Sequence, residues 1–230
     1  MDTYFEQWLQ QEKKWMGDYR NLILKRMVKK TLPATAVILG LLMGAMGFVG
    51  GGDMQEALLM AASGVFAGAF ITLLIVLFML PGLRTGRMEK GIRKKIKEHS
   101  LTKEETEQLG REMLAAAKDP RCHLDFVMSG PGSSDTPASF MASEHYAYLR
   151  GGYPLVNLVR LSDCGQIRQD EERKTMTQNN GRTRRIYHYT LYTIAFFFHS
   201  HTGSDDDLAD AAMGFFSRNV RDEAYAMLMR

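Results

Sequence analysis

The chain has 230 residues, of which 45% are hydrophobic, and it carries 29 Lys and Arg against 26 Asp and Glu. That length allows a membrane segment together with one modest domain. Two cysteines without CxxC spacing exclude the usual zinc and redox motifs, and we expect both to be reduced on the cytoplasmic side of a membrane. Basic residues are concentrated beside the apolar block, whereas residues 98–230 hold fifteen Lys and Arg against nineteen Asp and Glu. This distribution argues against a nucleic-acid partner.

The N-terminal segment, residues 1–31, is predicted to be an amphipathic helix. Aromatic side chains beside lysines suit a helix in the headgroup region of a bilayer. The same pattern suits a helix packed on a folded domain, or one that continues into a membrane helix. A new helix can start at Pro33, which predicts a bend near Thr31. The apolar residues recur every three or four positions and are Phe5, Trp8, Leu9, Trp15, Met16, Tyr19, Leu22, Ile23 and Met27.

Two uncharged apolar runs follow, residues 32–49 and 57–83. Each is about long enough to cross a hydrocarbon core of ~30 Å, whereas soluble cores rarely hold two such runs side by side. The alternative is a buried helical hairpin in a soluble protein. Because the link of residues 50–56 is short, we predict an antiparallel transmembrane hairpin over residues 32–83. The first run is expected to act as a retained signal anchor.

Small residues at four-residue spacing are expected to let the two helices approach closely. Gly40 and Gly44 are four apart in the first run, and Gly64 and Gly68 are four apart in the second. The spacing suits either packing inside the hairpin or dimerisation between chains. We expect the internal use.

Lysine and arginine residues flank the hairpin on both sides, and the link between the helices has none. The positive-inside rule therefore places both termini in the cytoplasm. Residues 84–120 are predicted to form a basic juxtamembrane segment and a helix. The basic residues either serve only as a topology signal or also contact anionic lipid headgroups. The candidates for headgroup contact are Lys29, Lys30, Arg84, Arg87, Arg93, Lys94 and Lys95.

A soluble helix is predicted over residues 102–117. Thr102 followed by Glu105 fits a capping box, and Asp119-Pro120 ends the segment.

Residues 121–230 are predicted to form a cytoplasmic α+β domain rich in antiparallel strands. Asn179-Asn180-Gly181 suits a hairpin turn, since Asn-Gly readily takes positive φ. The strand candidate over residues 182–198 is apolar on both faces at its end, which predicts a central position in its sheet. The strand candidates are residues 122–128, 140–150 as one bent strand or a pair, 153–161, 167–178 and 182–198.

A helix is predicted next, starting at Ser204 or Asp205, because acidic residues in its first turn would favour the macrodipole. A further turn or two over residues 222–229 would finish the chain. The apolar stripe of the predicted helix is Leu208, Ala211, Ala212, Phe215 and Phe216.

Candidate chemistry is sparse, and we predict no catalytic residue, cofactor or metal. His199, His201 and Asp205–Asp207 combine metal-ligand types, but a polar loop followed by a helix cap explains them more simply. Cys164 beside His145 or His188 would make a nucleophile and base, although no spacing places them together. His123, His145 and His188 are expected to be structural or exposed.

Charged residues flank the predicted hairpin turn. Asp170, Glu171 and Glu172 precede it, and Arg182, Arg184 and Arg185 follow it. Cross-strand salt bridges are the simplest expectation. The alternative is a charged edge that binds a partner.

Residues 138–219 resemble a pleckstrin-homology-like (PH-like) domain of small bacterial membrane proteins. The resemblance lies in Leu161-Ser-Asp-Cys-Gly-Gln-Ile167 after a strand, in a Tyr-rich strand over residues 186–198, and in the polar turn and helix that follow. It implies an antiparallel β-rich domain with a C-terminal helix, in a two-pass protein of the bacterial cell membrane.

The function predicted from these patterns is a membrane-anchored, non-enzymatic interaction module. Its expected partners are a bilayer with anionic headgroups and an unidentified protein, which self-association would also satisfy. The first alternative is an accessory subunit of a transporter or other membrane complex, and the second is a membrane-surface enzyme.

Overall fold

The computed structural model describes residues 3–130, 135–152, 155–179, 184–199 and 209–230. The α-helices are α1 (Tyr4–Val49), α2 (Met54–Met79), α3 (Thr85–Glu98), α4 (Lys103–Ala116) and α5 (Arg218–Leu228). The strands are β1 (His123–Met128), β2 (Thr136–Ala142), β3 (Tyr146–Arg150), β4 (Val156–Arg160), β5 (Cys164–Asn179), β6 (Arg184–Phe198) and β7 (Ala211–Phe215). Short 3-10 helices lie at Leu80–Leu83 and Leu161–Asp163. The fold is therefore α+β, as predicted.

The chain forms two compact units. We call Lys13–Arg87 the hairpin unit. Met1–Glu12 and Met88–Arg230 together form the sheet unit.

Helix α1 is continuous for 46 residues and contains Pro33, so no new helix starts at the proline. The Thr35 hydroxyl lies 2.9 Å from the Thr31 carbonyl and supplies a donor close to the proline. Within an apolar segment a helix retains its backbone hydrogen bonds past a proline, because exposing further unpaired groups would cost more.

The link between α1 and α2 is a tight glycine turn. Gly51 has φ +81°, a conformation that L side chains rarely adopt. Asp53 then caps α2, since its carboxylate accepts the Glu56 N–H at 2.8 Å. The turn explains why the two apolar helices follow each other so closely.

The sheet unit contains two antiparallel sheets. The first has the order β1-β2-β3-β4 and the second the order β5-β6-β7. The segment 140–150 therefore belongs to two paired strands, β2 and β3. The predicted central position of β6 in its sheet is confirmed. Both sheets and α5 contribute to one core, which includes Phe140, Leu149, Val159, Ile194, Phe196, Phe215 and Ala224.

The predicted helix over residues 205–216 is wrong where the structure describes it. Residues 211–215 form β7 and pair with β6, and the C-terminal helix α5 begins only at Arg218. The apolar spacing that suggested a helix also suits a short strand with Met213 and Phe215 facing the core. The predicted start of that helix lies outside the described residues.

The charge pairing predicted across the β5–β6 hairpin is also wrong for Arg184 and Arg185, while Arg182 lies outside the described residues. Asn179 pairs with Arg184, so Glu171 lies opposite Tyr192 and far along the ladder from the arginines. Glu171 instead forms ion pairs with Arg218 and Arg221 of α5, both at 3.4 Å. The predicted turn residues Asn180 and Gly181 lie outside the described residues.

The capping box of α4 is confirmed. Thr102 Oγ1 accepts the Glu105 N–H at 3.2 Å, and the Glu105 carboxylate accepts the Thr102 N–H at 2.8 Å. Helix α4 also packs on the start of α1, because Gly110 leaves room for it. A Cβ at Gly110 would lie 2.5 Å from the Phe5 backbone nitrogen.

The first turns of α1 therefore belong to the sheet unit. Phe5, Trp8 and Leu9 are buried there, and the Trp8 ring meets Tyr148 edge-on at 5.3 Å between centroids. These residues are therefore packed on a folded domain, which was one of the alternatives for the N-terminal helix.

Candidate functional site

Two helices, α1 and α2, are long and apolar enough to cross a membrane by length and composition. In their most apolar windows only 11% and 17% of the residues are buried. Large apolar side chains are instead exposed; Phe66 is 77% exposed and Phe78 84%. A soluble core helix would bury these side chains, so the hairpin unit presents an apolar surface that water solvates poorly.

The four predicted packing glycines lie where α1 and α2 contact each other. A Cβ at Gly40 would lie 3.0 Å from Val65 Cγ2, and one at Gly44 would lie 3.2 Å from Ala61 Cβ. A Cβ at Gly64 would overlap the carbonyl oxygen of Leu39. The glycines thus permit the close approach of the two backbones.

Gly68 belongs to a polar contact in the same interface. A Cβ there would lie 2.7 Å from the Thr35 carbonyl oxygen. The hydroxyls of Thr35 and Thr72 are 2.8 Å apart, and Thr72 also donates to the Gly68 carbonyl at 2.9 Å. These hydroxyls keep their hydrogen bonds inside an apolar helix pair, which stabilises the hairpin.

Four of the predicted headgroup residues, Lys29, Lys30, Arg84 and Arg87, lie in the hairpin unit and are exposed. Arg87 Nη1 donates to the Gly82 carbonyl at 3.3 Å. Long basic side chains at the end of an apolar helix can extend to phosphates while their alkyl stems remain on apolar surface. The headgroup contact of these four residues stays a prediction, with which their exposure is compatible.

The other three predicted headgroup residues lie in the sheet unit and have intramolecular partners. Arg93 bonds Glu89 at 2.9 Å and Glu6 at 3.2 Å, and these carboxylates raise the pKa of the guanidinium. Lys94 and Lys95 both reach Glu98. Exposed ion pairs of this kind are weak, so the cations remain able to exchange partners.

A buried charge cluster was missed by the sequence analysis. Glu12 is 1% exposed; Tyr148 donates to one carboxylate oxygen and Arg150 to the other, both at 2.7 Å. Arg150 also donates to Ser139 Oγ at 2.9 Å. Burial raises the pKa of Glu12, while the Arg150 charge and the Tyr148 hydroxyl oppose that rise. The cluster fastens the start of α1 to β3.

The candidate nucleophile and bases do not share a site. Cys164 Sγ lies 3.5 Å from the Arg160 carbonyl, and burial, with Asp163 and Asp210 nearby, raises the pKa of its thiol to about 12. His145 bonds Glu112 at 2.7 Å, and His188 bonds Thr175 at 3.2 Å. A protonated thiol is a poor nucleophile at neutral pH.

Among the described residues no group of three or more His, Cys, Asp or Glu side chains could hold a metal ion. His201 and Asp205–Asp207 lie outside them. The described part of the sheet unit has a pocket of 130 Å³ between the end of β1 and α5, and a wider one of 360 Å³ beside Tyr189 and Phe216. The lining of the smaller pocket includes Phe126, Met128, Phe215 and Val220.

Comparison with known protein families, with curated proteins and with solved structures finds no match to the chain.

Proposed function

We propose that the chain is a two-pass membrane protein that presents the sheet unit, as a non-catalytic interaction module, to a lipid or protein partner in the cytoplasm of a bacterial cell. The observation that carries the proposal is the exposure of apolar side chains along α1 and α2, such as Phe66 and Phe78. Lipid tails are the solvent that such a surface requires.

The charge pattern supports placing both termini in the cytoplasm. Lys29, Lys30, Arg84 and Arg87 are exposed near the ends of the apolar segments, and the link of residues 50–56 has only acidic charges. The positive-inside rule assigns the basic side to the cytoplasm, where the leaflet is anionic.

Two of the three features behind the PH-like resemblance support this proposal, namely the segment of residues 161–167 after a strand and the Tyr-rich strand β6. The third, a helix over residues 206–216, is replaced by β7 over residues 211–215. Two antiparallel sheets precede α5, and the segment Leu161–Asp163 that carries the resemblance forms the turn between them. The raised pKa of Cys164 disfavours the hypothesis of a cysteine-based enzyme.

The accessory-subunit alternative depends on a surface through which the hairpin binds another membrane protein. The glycines at positions 40, 44, 64 and 68 contact the neighbouring helix of the same hairpin. Close packing by these small residues is thus already used internally. This favours an anchor over a subunit.

Alkaline carbonate extraction of membranes tests the anchor. We expect the chain to stay with the membrane pellet. Phe66→Lys should reduce the membrane-inserted fraction, because a lysine at a helix centre costs about 2.5–3.5 kcal/mol in insertion. Val127→Lys, at a residue that is 60% exposed in the sheet unit, is the matched control and should leave insertion unchanged. A wild-type chain that stays monodisperse in detergent-free buffer would refute the proposal.

Photocrosslinking in native membranes separates the module from the subunit. A crosslinker at Val127 samples the sheet unit, and one at Phe66 samples the hairpin unit. Specific capture of a lipid or protein at Val127 supports the module. Capture of membrane-protein subunits at Phe66 alone would support the accessory subunit instead.

A further inference from the structure

We propose that the far end of the β5–β6 hairpin docks end-on against an anionic lipid bilayer. We call residues 173–179 of β5 and 184–191 of β6 the distal ribbon. The inference rests on the proposed function and assigns a lipid surface as the partner of the sheet unit.

The distal ribbon is a two-stranded projection within the described residues. β5 and β6 pair as far as Asn179 and Arg184, whereas β7 pairs with β6 only over residues 192–196. The core residues of the sheet, Ile194 and Phe196, also lie beyond the ribbon. An isolated two-stranded ribbon is marginal in water, so this extension has little structural purpose of its own.

The distal ribbon concentrates positive charge on an otherwise acidic unit. Residues 173–179 and 184–191 hold four of the fifteen Lys and Arg found in residues 98–230, and none of the nineteen Asp and Glu. Glu172, just outside the ribbon, pairs with Lys174 at 2.9 Å. Of the described cations, Arg184 and Arg185 are exposed, and no described carboxylate pairs with either. Such a segregated charge raises the local concentration of an anionic partner.

The cations are on both faces of the ribbon. Side chains alternate along a strand, and Arg173 pairs with Thr190 while Lys174 pairs with Tyr189. Arg184 therefore shares a face with Arg173, and Arg185 shares the opposite face with Lys174. A two-sided distribution suits a ribbon that enters a layer of headgroups end-on better than a ribbon that lies with one face on a flat surface.

Apolar and aromatic side chains accompany the charges. Ile186 is 50% exposed between the arginines and the aromatic residues, and Tyr187 pairs with Met176 across the ribbon. Tyrosine is typical of the membrane interface, and basic residues near the surface bind anionic lipids. A single-stranded nucleic acid would stack on Tyr187 and Tyr189, and the exposed aliphatic side chain of Ile186 would add nothing to that binding. The mixture favours a bilayer.

The experiment uses the full chain in neutral phosphatidylcholine nanodiscs, mixed with sucrose-loaded vesicles that contain phosphatidylglycerol. Sedimentation of the vesicles then reports binding. We expect binding to these vesicles and none to phosphatidylcholine vesicles. Arg184→Gln with Arg185→Gln should weaken it about thirtyfold, which is roughly fivefold for each cation near an anionic surface.

Two matched variants control for total charge and for folding. Arg121→Gln with Arg168→Gln removes the same charge from two other exposed arginines of the sheet unit. Arg121 contacts Asp119, and Arg168 lies over the Phe197 ring. This variant should retain binding. Arg184→Lys with Arg185→Lys keeps the charge and should bind within about threefold of the wild type.

Equal binding by the wild type and the Arg184/Arg185 glutamine variant would overturn the inference, and so would equal weakening by the control pair. Binding of a labelled single-stranded RNA, lost in the glutamine variant and without vesicle binding, would assign the ribbon to nucleic acid instead. The proposed function fails separately. In that case the chain would remain soluble without nanodiscs or detergent, whatever the ribbon binds.

Discussion

Glu12 occupies a position in α1 where the helical spacing favours an apolar residue. Phe5, Trp8 and Met16 precede and follow it at three-to-four spacing, and all of them are buried. An ion pair with Arg150 in such a place is seldom more stable than apolar packing, because both charges must be desolvated. Loss of one partner is costly, however. The pair therefore favours one docking register of α1.

Glu12→Ala is expected to destabilise the sheet unit by about 3–5 kcal/mol, because the Arg150 charge, which is 11% exposed, would lose its buried partner. Glu6→Ala is the control. It removes an exposed ion pair with Arg93 and should cost less than about 1 kcal/mol. Urea unfolding in detergent micelles, followed by the fluorescence of Trp8 in a Trp15→Phe background, measures both. Similar effects from the two variants would contradict the structural role of Glu12.

The raised pKa of Glu12 predicts a pH dependence with a definite sign. The folded state keeps a proton that the unfolded state releases near its ordinary pKa of 4.5. Stability should therefore fall as pH rises from about 4.5 through the raised folded pKa. Glu12→Gln cannot titrate, so the stability of the wild type relative to this variant should decline over that range. Urea unfolding at a series of pH values measures it, and a relative stability that increases with pH would contradict the shift.

At the scale of elements, most strands and the hairpin could be predicted from the sequence. Aromatic and β-branched residues mark β6, and uncharged length marks the apolar helices. The presence of β7 in place of a helix could not be predicted locally. Ala211, Ala212, Phe215 and Phe216 have helical spacing, whereas Met213 and Phe215 alternate as in a strand, and pairing with β6 decides between the two. The Glu12 site depends on Tyr148, 136 positions away, which no local pattern reveals. The one sequence signal for this site was Glu12 itself, an acidic residue within the apolar stripe of α1.

Two glycine substitutions test the packing of the hairpin. Gly64→Ala should destabilise it by about 1–3 kcal/mol, because the new methyl group would overlap the Leu39 carbonyl. Gly17→Ala should stabilise α1 by up to about 1 kcal/mol, since no atom lies within 4 Å of the new Cβ. Thermal unfolding in micelles by circular dichroism should show midpoints that move in opposite directions, by about 2–4 °C per kcal/mol. Shifts in the same direction would place Gly64 outside the helix contact.

At the scale of the whole molecule, the charge pattern predicts a link on the outer side of the membrane. A single cysteine at Met54, in a chain with Cys122→Ser and Cys164→Ser, tests this. Met54 is 64% exposed at the start of α2 and avoids the positive φ of Gly51. An impermeant maleimide should label it in intact cells. A cysteine in place of Glu144, on the sheet unit, should be labelled only after permeabilisation, and the reverse pattern would contradict the topology.

The first twelve residues complete a core whose other parts come from Met88 onward. During synthesis at about 5–20 residues per second, Glu12 leaves the ribosome roughly 7–30 s before Tyr148 does. During that interval the side chains of Trp8 and Leu9 remain exposed on the nascent chain, while the apolar segments leave the ribosome after them. A recombinant fragment that starts at Met88 would lack Glu12, so the Arg150 guanidinium would be buried without a counter-ion. Such a fragment should be prone to aggregation.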